Sequence, residues 1–365
     1  MLTRSILFAF ALFLAATAGA FARQGPPEQP DMTIDAAARR EVIDTLLRRL
    51  NESYVFPETA AKMEQAVRER AGRGEYDKIS SAKELARKLT EDLQAVSRDK
   101  HLRVRYSHRP VPENGGRREP SAEEREQFRR EMGRTNYGFE KVERLPGNVG
   151  YVDYRGFTPP ELGRDTLAAA FNFLANTDAL IIDLRRNGGG SPGMVALFSS
   201  YLFGPEPVHL NSLYWREGDR TEEFWTLKDV TGRRYGDKDV YVLTSNYTFS
   251  GAEEFAYNLK SLKRATIVGE TTGGGAHPGG MNRLHPHFGV FIPTGRAINP
   301  VTKTNWEGTG VEPDVKVPAD RALKVAHLSA VKKQIEREKN EDFKAALRDL
   351  SGRLQKELDE MPAKN

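Results

Sequence analysis

The chain has 365 residues, 38% of them hydrophobic, which is enough for one large or two medium domains with a sizeable core. Its 55 Lys+Arg against 51 Asp+Glu leave a net charge of +4, too small to argue for nucleic acid, and its polar texture excludes a multi-span membrane protein. The absence of cysteine removes disulfides, thiolate metal sites and a thiol nucleophile, so covalent catalysis must use another side chain.

Residues 1–22 combine Arg4, an apolar run from Ile6 to Ala16, and the small residues Ala18, Ala20 and Ala22. This is the pattern of a signal peptide cut after Ala22, and it predicts a periplasmic or secreted product with no membrane anchor after cleavage. A Pro-rich stretch, Gly25 to Pro30, leads into Val42, Ile43, Leu46, Leu47 and Leu50, which recur at the spacing of one helix face. A second helix is expected after Pro57, and a third where Ser81 and Glu84 spell a capping box above Leu85, Leu89 and Leu93. Residues 31–108 thus read as a small N-terminal helical domain. Residues 109–135, rich in Arg, Glu, Pro and Gly without an apolar stripe, read as a linker that is loop or solvated helix.

From about residue 138 the texture becomes α/β. Strands are predicted at Val149 to Tyr154, Ala179 to Leu184 and Val240 to Thr244, with helices over 164–175, 192–203 and 251–262. The core spans 136–320, and a charged amphipathic helical tail occupies 321–365.

Ser250 falls where a strand, a turn and a helix meet, in Thr-Phe-Ser250-Gly-Ala-Glu-Glu-Phe. A hydroxyl there is exposed at a strand end beside helix N–H groups that can stabilise an oxyanion, although Ser250 and Glu253 also spell an ordinary capping box. Asp183-Leu-Arg-Arg-Asn-Gly-Gly189-Gly190 runs from a buried strand into a triple-glycine turn. Its bare backbone can approach a ligand closely or can be a plain turn, but it has neither P-loop nor GxGxxG spacing. His285-Pro-His287 lacks a carboxylate partner at useful spacing, so no metal or other cofactor is expected. Tyr214, Trp215 and Trp225 form an aromatic stretch that either packs in the core or lines a groove.

The order of these motifs, followed by Val268-Gly-Glu-Thr-Thr-Gly-Gly-Gly-Ala-His277 and Gly310-Val-Glu-Pro-Asp314, resembles the C-terminal processing (tail-specific) serine peptidase family. Within it the chain is most similar to the branch holding the tricorn protease core and the repeats of interphotoreceptor retinoid-binding protein. The resemblance implies a ClpP/crotonase-like α/β core, Ser250 as nucleophile, and an oxyanion hole from Gly251, Gly189 and Gly190. Typical members pair the serine with a downstream lysine, a position that falls near Gly275 here, and no lysine occurs between Lys263 and Lys303. The tricorn-like branch uses a histidine from before the core and a late glutamate, which implies His101 and Glu307, with Lys100 in the place of an auxiliary polar residue. His277, in the glycine loop, is a second candidate base. The function implied is a serine-type endopeptidase acting on peptide or protein substrates through an acyl-enzyme. The rivals are a catalytically silent module for apolar small molecules of retinoid or fatty-acid type and a scaffold that has kept only the fold. The interval 109–144 is too short for the PDZ domain that many processing members carry.

Overall fold

A computed structural model describes residues 29–111 and 121–362. The expected signal peptide therefore lies outside the described residues. The first helices are α1 (Ala36–Ser53), α2 (Pro57–Gly72) and α3 (Ala82–Ser97), and they follow the apolar spacing of the sequence. Asp35 caps α1 by accepting from the Ala38 N–H, and α1 buries Val42, Leu46, Leu47 and Leu50. At the start of α3 the Ser81 hydroxyl accepts from the Glu84 N–H, above buried Leu85, Leu89 and Leu93.

A short strand, β1 (Arg103–Tyr106), follows, and then the helix α4 (Ala122–Arg134) within the expected linker. A capping box of Ser121 and Glu124 starts α4, and none of its residues is buried.

The core adds β2 (Phe139–Leu145), β3 (Val149–Tyr154), α5 (Pro160–Leu174), β4 (Ala179–Asp183), α6 (Pro192–Ser200), β5 (His209–Trp215), β6 (Arg220–Trp225), β7 (Asp239–Thr244) and α7 (Gly251–Ser261). It continues through β8 (Thr266–Gly269), β9 (Gly279–His285), β10 (Phe288–Pro293), β11 (Gly295–Ile298) and β12 (Val315–Lys316), and ends in α8 (Ala319–Arg337) and α9 (Glu341–Asp359).

The central sheet runs β12-β8-β7-β4-β3-β2, parallel except where β2 meets β3. Its inner strands β3, β4 and β7 are buried along nearly their whole length because both faces are covered, whereas the edge strand β2 carries Glu140, Lys141, Glu143 and Arg144. Leu180, Ile182 and Val242 face the helices α5 to α7 in one cluster with Phe171, Phe198 and Phe255. Ile181, Tyr241 and Leu243 face the other way, against Ala326, Val331, Leu347 and Leu350 of α8 and α9. The charged tail is thus the third layer of an α/β sandwich, with its apolar stripe inward.

The unit built on α1 to α3 draws on residues far beyond 108. A four-residue strand cannot satisfy its backbone alone, and β1 pairs with β10, which pairs with β9. Leu284, Phe288, Val290 and Ile292 enter the same apolar cluster as Leu46, Leu50, Leu89 and Leu102. A third sheet, β11-β5-β6, stands beside them.

Candidate active site

The triple-glycine turn after β4 and the turn before α7 are fastened to each other. Asn187 donates its side-chain N–H to the Tyr154 carbonyl (3.0 Å), accepts from the Gly189 N–H (2.8 Å), and offers its own carbonyl to the Phe249 N–H (3.1 Å). Thr248 and Ser245 donate their hydroxyls to the carbonyls of Leu184 and Arg185. Gly190 has φ 140°, and a Cβ there would sit 2.2 Å from the Phe157 carbonyl oxygen, so only glycine allows this approach.

Ser250 has φ 54° and ψ −123°, a left-handed conformation that a non-glycine residue adopts only when its surroundings hold it there. The restraint is Glu253. Its buried carboxylate accepts from the N–H groups of Ser250 (2.8 Å), Gly274 (2.6 Å) and Gly275 (2.8 Å) and from the Thr272 hydroxyl (2.5 Å). Burial pushes its pKa up while these four donors pull it down.

Ser250, Gly251, Gly190, Lys100 and His101 all line one cavity of about 860 Å³. Among the described residues the N–H groups of Gly190 and Gly251 have no intramolecular acceptor, whereas that of Gly189 is spent on Asn187. The His101 ring lies against Phe249 (centroids 4.5 Å apart) and Phe291 (5.8 Å). Burial lowers its pKa to about 4, opposed by the negative charge of Asp99. Its Nδ1 is buried without a hydrogen-bond partner, and no direct hydrogen bond joins it to Ser250 among the described residues. Lys100 donates its Nζ to the Gly273 carbonyl (2.5 Å) and so ties the histidine segment to the glycine loop.

His277 and Glu307 are absent from the cavity wall. His277 Nδ1 lies 2.8 Å from Asp99 Oδ2 and 3.5 Å from Glu307 Oε2. Glu307 accepts from the Ala276 N–H (2.5 Å), its other oxygen is buried without a partner, and burial together with Asp99 raises its pKa to about 7. Asp99, fully buried, also receives the Tyr54 hydroxyl (3.2 Å) and the His101 backbone N–H (3.0 Å).

Sequence reasoning missed Asp99, although it stands two residues before His101, and took Glu253 for a cap alone. Of the aromatic stretch, Trp215 lines the cavity, Trp225 stacks on His209 and Tyr214 packs against the N-terminal cluster. His287 Nδ1 faces the Ser107 carbonyl (3.0 Å).

A family model described as peptidase family S41 matches residues 148–317, and one described as the N-terminal domain of peptidase S41 in eukaryotic IRBP matches residues 36–134. The chain belongs to peptidase family S41. Among solved structures, a candidate peptidase from Parabacteroides merdae aligns at 19% identity and TM-score 0.57, over 80% of this chain and 96% of its own. A lipoprotein from Streptococcus agalactiae aligns at 16% identity and TM-score 0.53, over 81% and 96%. The tricorn protease aligns at 14% and 0.50, over 87% of this chain and 37% of the tricorn chain. These likenesses are of fold. As an S41 peptidase, the chain acts on peptide or protein substrates. No helix among the described residues is long and apolar enough to cross a membrane.

Proposed function

We propose that this S41 peptidase is a serine-type endopeptidase in which Ser250 is the nucleophile and His101, in place of a lysine, is the general base. The observation that carries the reading is the strained Ser250 at the start of α7, facing the same cavity as His101 and the unspent N–H groups of Gly190 and Gly251. Ser250 Oγ attacks the scissile carbonyl while its proton passes to His101, and the carbonyl oxygen, now negative, receives the two N–H groups. The imidazolium then protonates the leaving amine, and water, deprotonated by the same ring, releases the acyl group from Ser250.

In this scheme Gly189 shapes the turn and Gly190 and Gly251 donate. Asp99 steadies the imidazolium that forms, and Glu307 and His277 act as positioning residues through Ala276 and Asp99. The network needs no metal or other cofactor to activate the hydroxyl. We further propose that the chain is exported and works in the periplasm or outside the cell, which follows from the composition of residues 1–22.

Labelling the mature protein with a peptidyl phosphonate and mapping the modified peptide tests the assignment. Modification of Ser250, abolished in Ser250→Ala, is the expected result. Absence of labelling and turnover together with tight binding of retinol or a fatty acid would overturn the peptidase chemistry in favour of a carrier.

A further inference from the structure

Beside the nucleophile, the cavity contains a carboxyl group that the reaction does not use. Glu254 follows Ser250 by one helical turn, lines the same cavity and is 4% exposed, and its Oε1 has no hydrogen-bond partner. Asn211, fully buried, lies close enough to the Glu254 carboxyl to favour its charged form, but neither of its amide atoms makes a hydrogen bond of good geometry. Asn258, a turn further along α7, leaves its Nδ2 unpartnered while its oxygen faces the Asn299 amide at 3.3 Å. Native interiors rarely leave so many polar atoms unsatisfied in one place unless a ligand group or water completes them. Around them the wall is apolar, with Leu213, Trp215, Phe224 and Ala297.

Resting on the peptidase reading above, we propose that Glu254 is a specificity-determining residue that receives the cationic end of a substrate lysine or arginine, so that cleavage follows a basic residue. An apolar sleeve ending in a buried carboxyl with no cation beside it complements a side chain with a long aliphatic stem and a charged head. Charge in the cavity lining is also segregated by element. Lys100, Arg103 and Arg105 come from the β1 segment, and Glu161, Glu222 and Glu254 from α5, β6 and α7, so the acidic and basic groups of the lining come from different elements. Burial pushes the Glu254 pKa up to about 8, which keeps the empty pocket uncharged at neutral pH. An arriving cation reverses that balance, and the carboxyl releases its proton to solvent as the ion pair forms.

The test compares kcat/KM for peptides that differ only in Lys, Arg, Gln, Leu or Phe at the residue before the scissile bond. Lys and Arg should exceed Leu by at least about tenfold, and the Lys/Leu ratio should fall by about tenfold or more in Glu254→Gln. A wild type that takes Leu or Phe as well as Lys, or an unchanged ratio in the variant, overturns the proposal. Inactivation rates of the wild type with lysyl and leucyl phosphonates answer the question even if the variant does not fold. Ser250 labelled no faster by the lysyl probe overturns the specificity alone. Ser250 labelled by neither overturns the peptidase reading as well.

Discussion

A Cβ built on Gly275 falls 2.6 Å from Cε1 of His101 and 2.3 Å from Cζ of Phe249, so a side chain at 275 and the imidazole ring exclude each other. The family resemblance puts the lysine of the commoner dyad near position 275. On that resemblance and the proposed role of His101, a lysine there and the His101 ring would be alternatives in space. Gly275→Ala should displace the ring and lower kcat/KM about 100-fold, at a stability cost of about 1–3 kcal/mol from overpacking. Steady-state kinetics beside thermal unfolding separate the two, and full activity in this variant would remove His101 from the mechanism.

His101→Ala and Ser250→Ala should each lose several orders of magnitude in turnover, with the double variant no worse than either. His277→Ala should lose less, because that ring is turned to Asp99 and Glu307. The base works only when neutral, and burial has lowered its pKa to about 4. The acid limb of kcat/KM should accordingly fall as pH drops through about 4, well below the ~6.5 of a free imidazole. An acid limb at the ordinary imidazole value that vanishes with His277→Ala would move the base to the glycine loop.

Glu253→Ala strands four donors at once, three of them backbone N–H groups that set the conformations of Ser250 and of the glycine loop. The expected loss is about 3–5 kcal/mol of stability, with a fall in kcat even where the variant is folded. Glu253→Gln should recover part of both, since an amide oxygen still accepts. Denaturant melts and kinetics on folded protein check this.

Glu307 carries a linkage of definite sign. Its pKa is near 7 in the fold against about 4.5 for a free side chain, so the fold favours its protonated form. Stability from this group is complete below about pH 4.5 and is lost as pH rises through 7. Glu307→Gln should therefore gain on the wild type across that window, by up to about 3 kcal/mol, while its activity falls modestly. Chemical denaturation at pH 4.5 and pH 7.5 measures the difference. An equal gap at both values would show that the carboxyl does not titrate there.

Local order was readable wherever one segment carried its own reason. Leu46 and Leu50 gave α1 by spacing, the apolar run Ala179 to Leu184 gave β4, and the turn before Gly251 singled out Ser250. What stayed hidden needed partners distant in the chain. His277 meets Asp99 across 178 residues, and nothing at either position names the other. The pairing of β1 with β10 was invisible for the same reason, and so was the β5–β6 sheet, whose β6 is mostly exposed polar residues. Glu254 was passed over because a second glutamate in a helix is ordinary until its burial is known.

Because β10 lies under α1 to α3, the molecule is assembled out of chain order. Arg103 pairs with Phe291, and the polypeptide between them must be made before that long loop can close. A nascent chain long enough to contain Ser250 but short of Phe291 lacks one of the two rings that flank His101 and has no sheet to complete its first apolar cluster. The first apolar cluster is thus complete only once nearly the whole core is present.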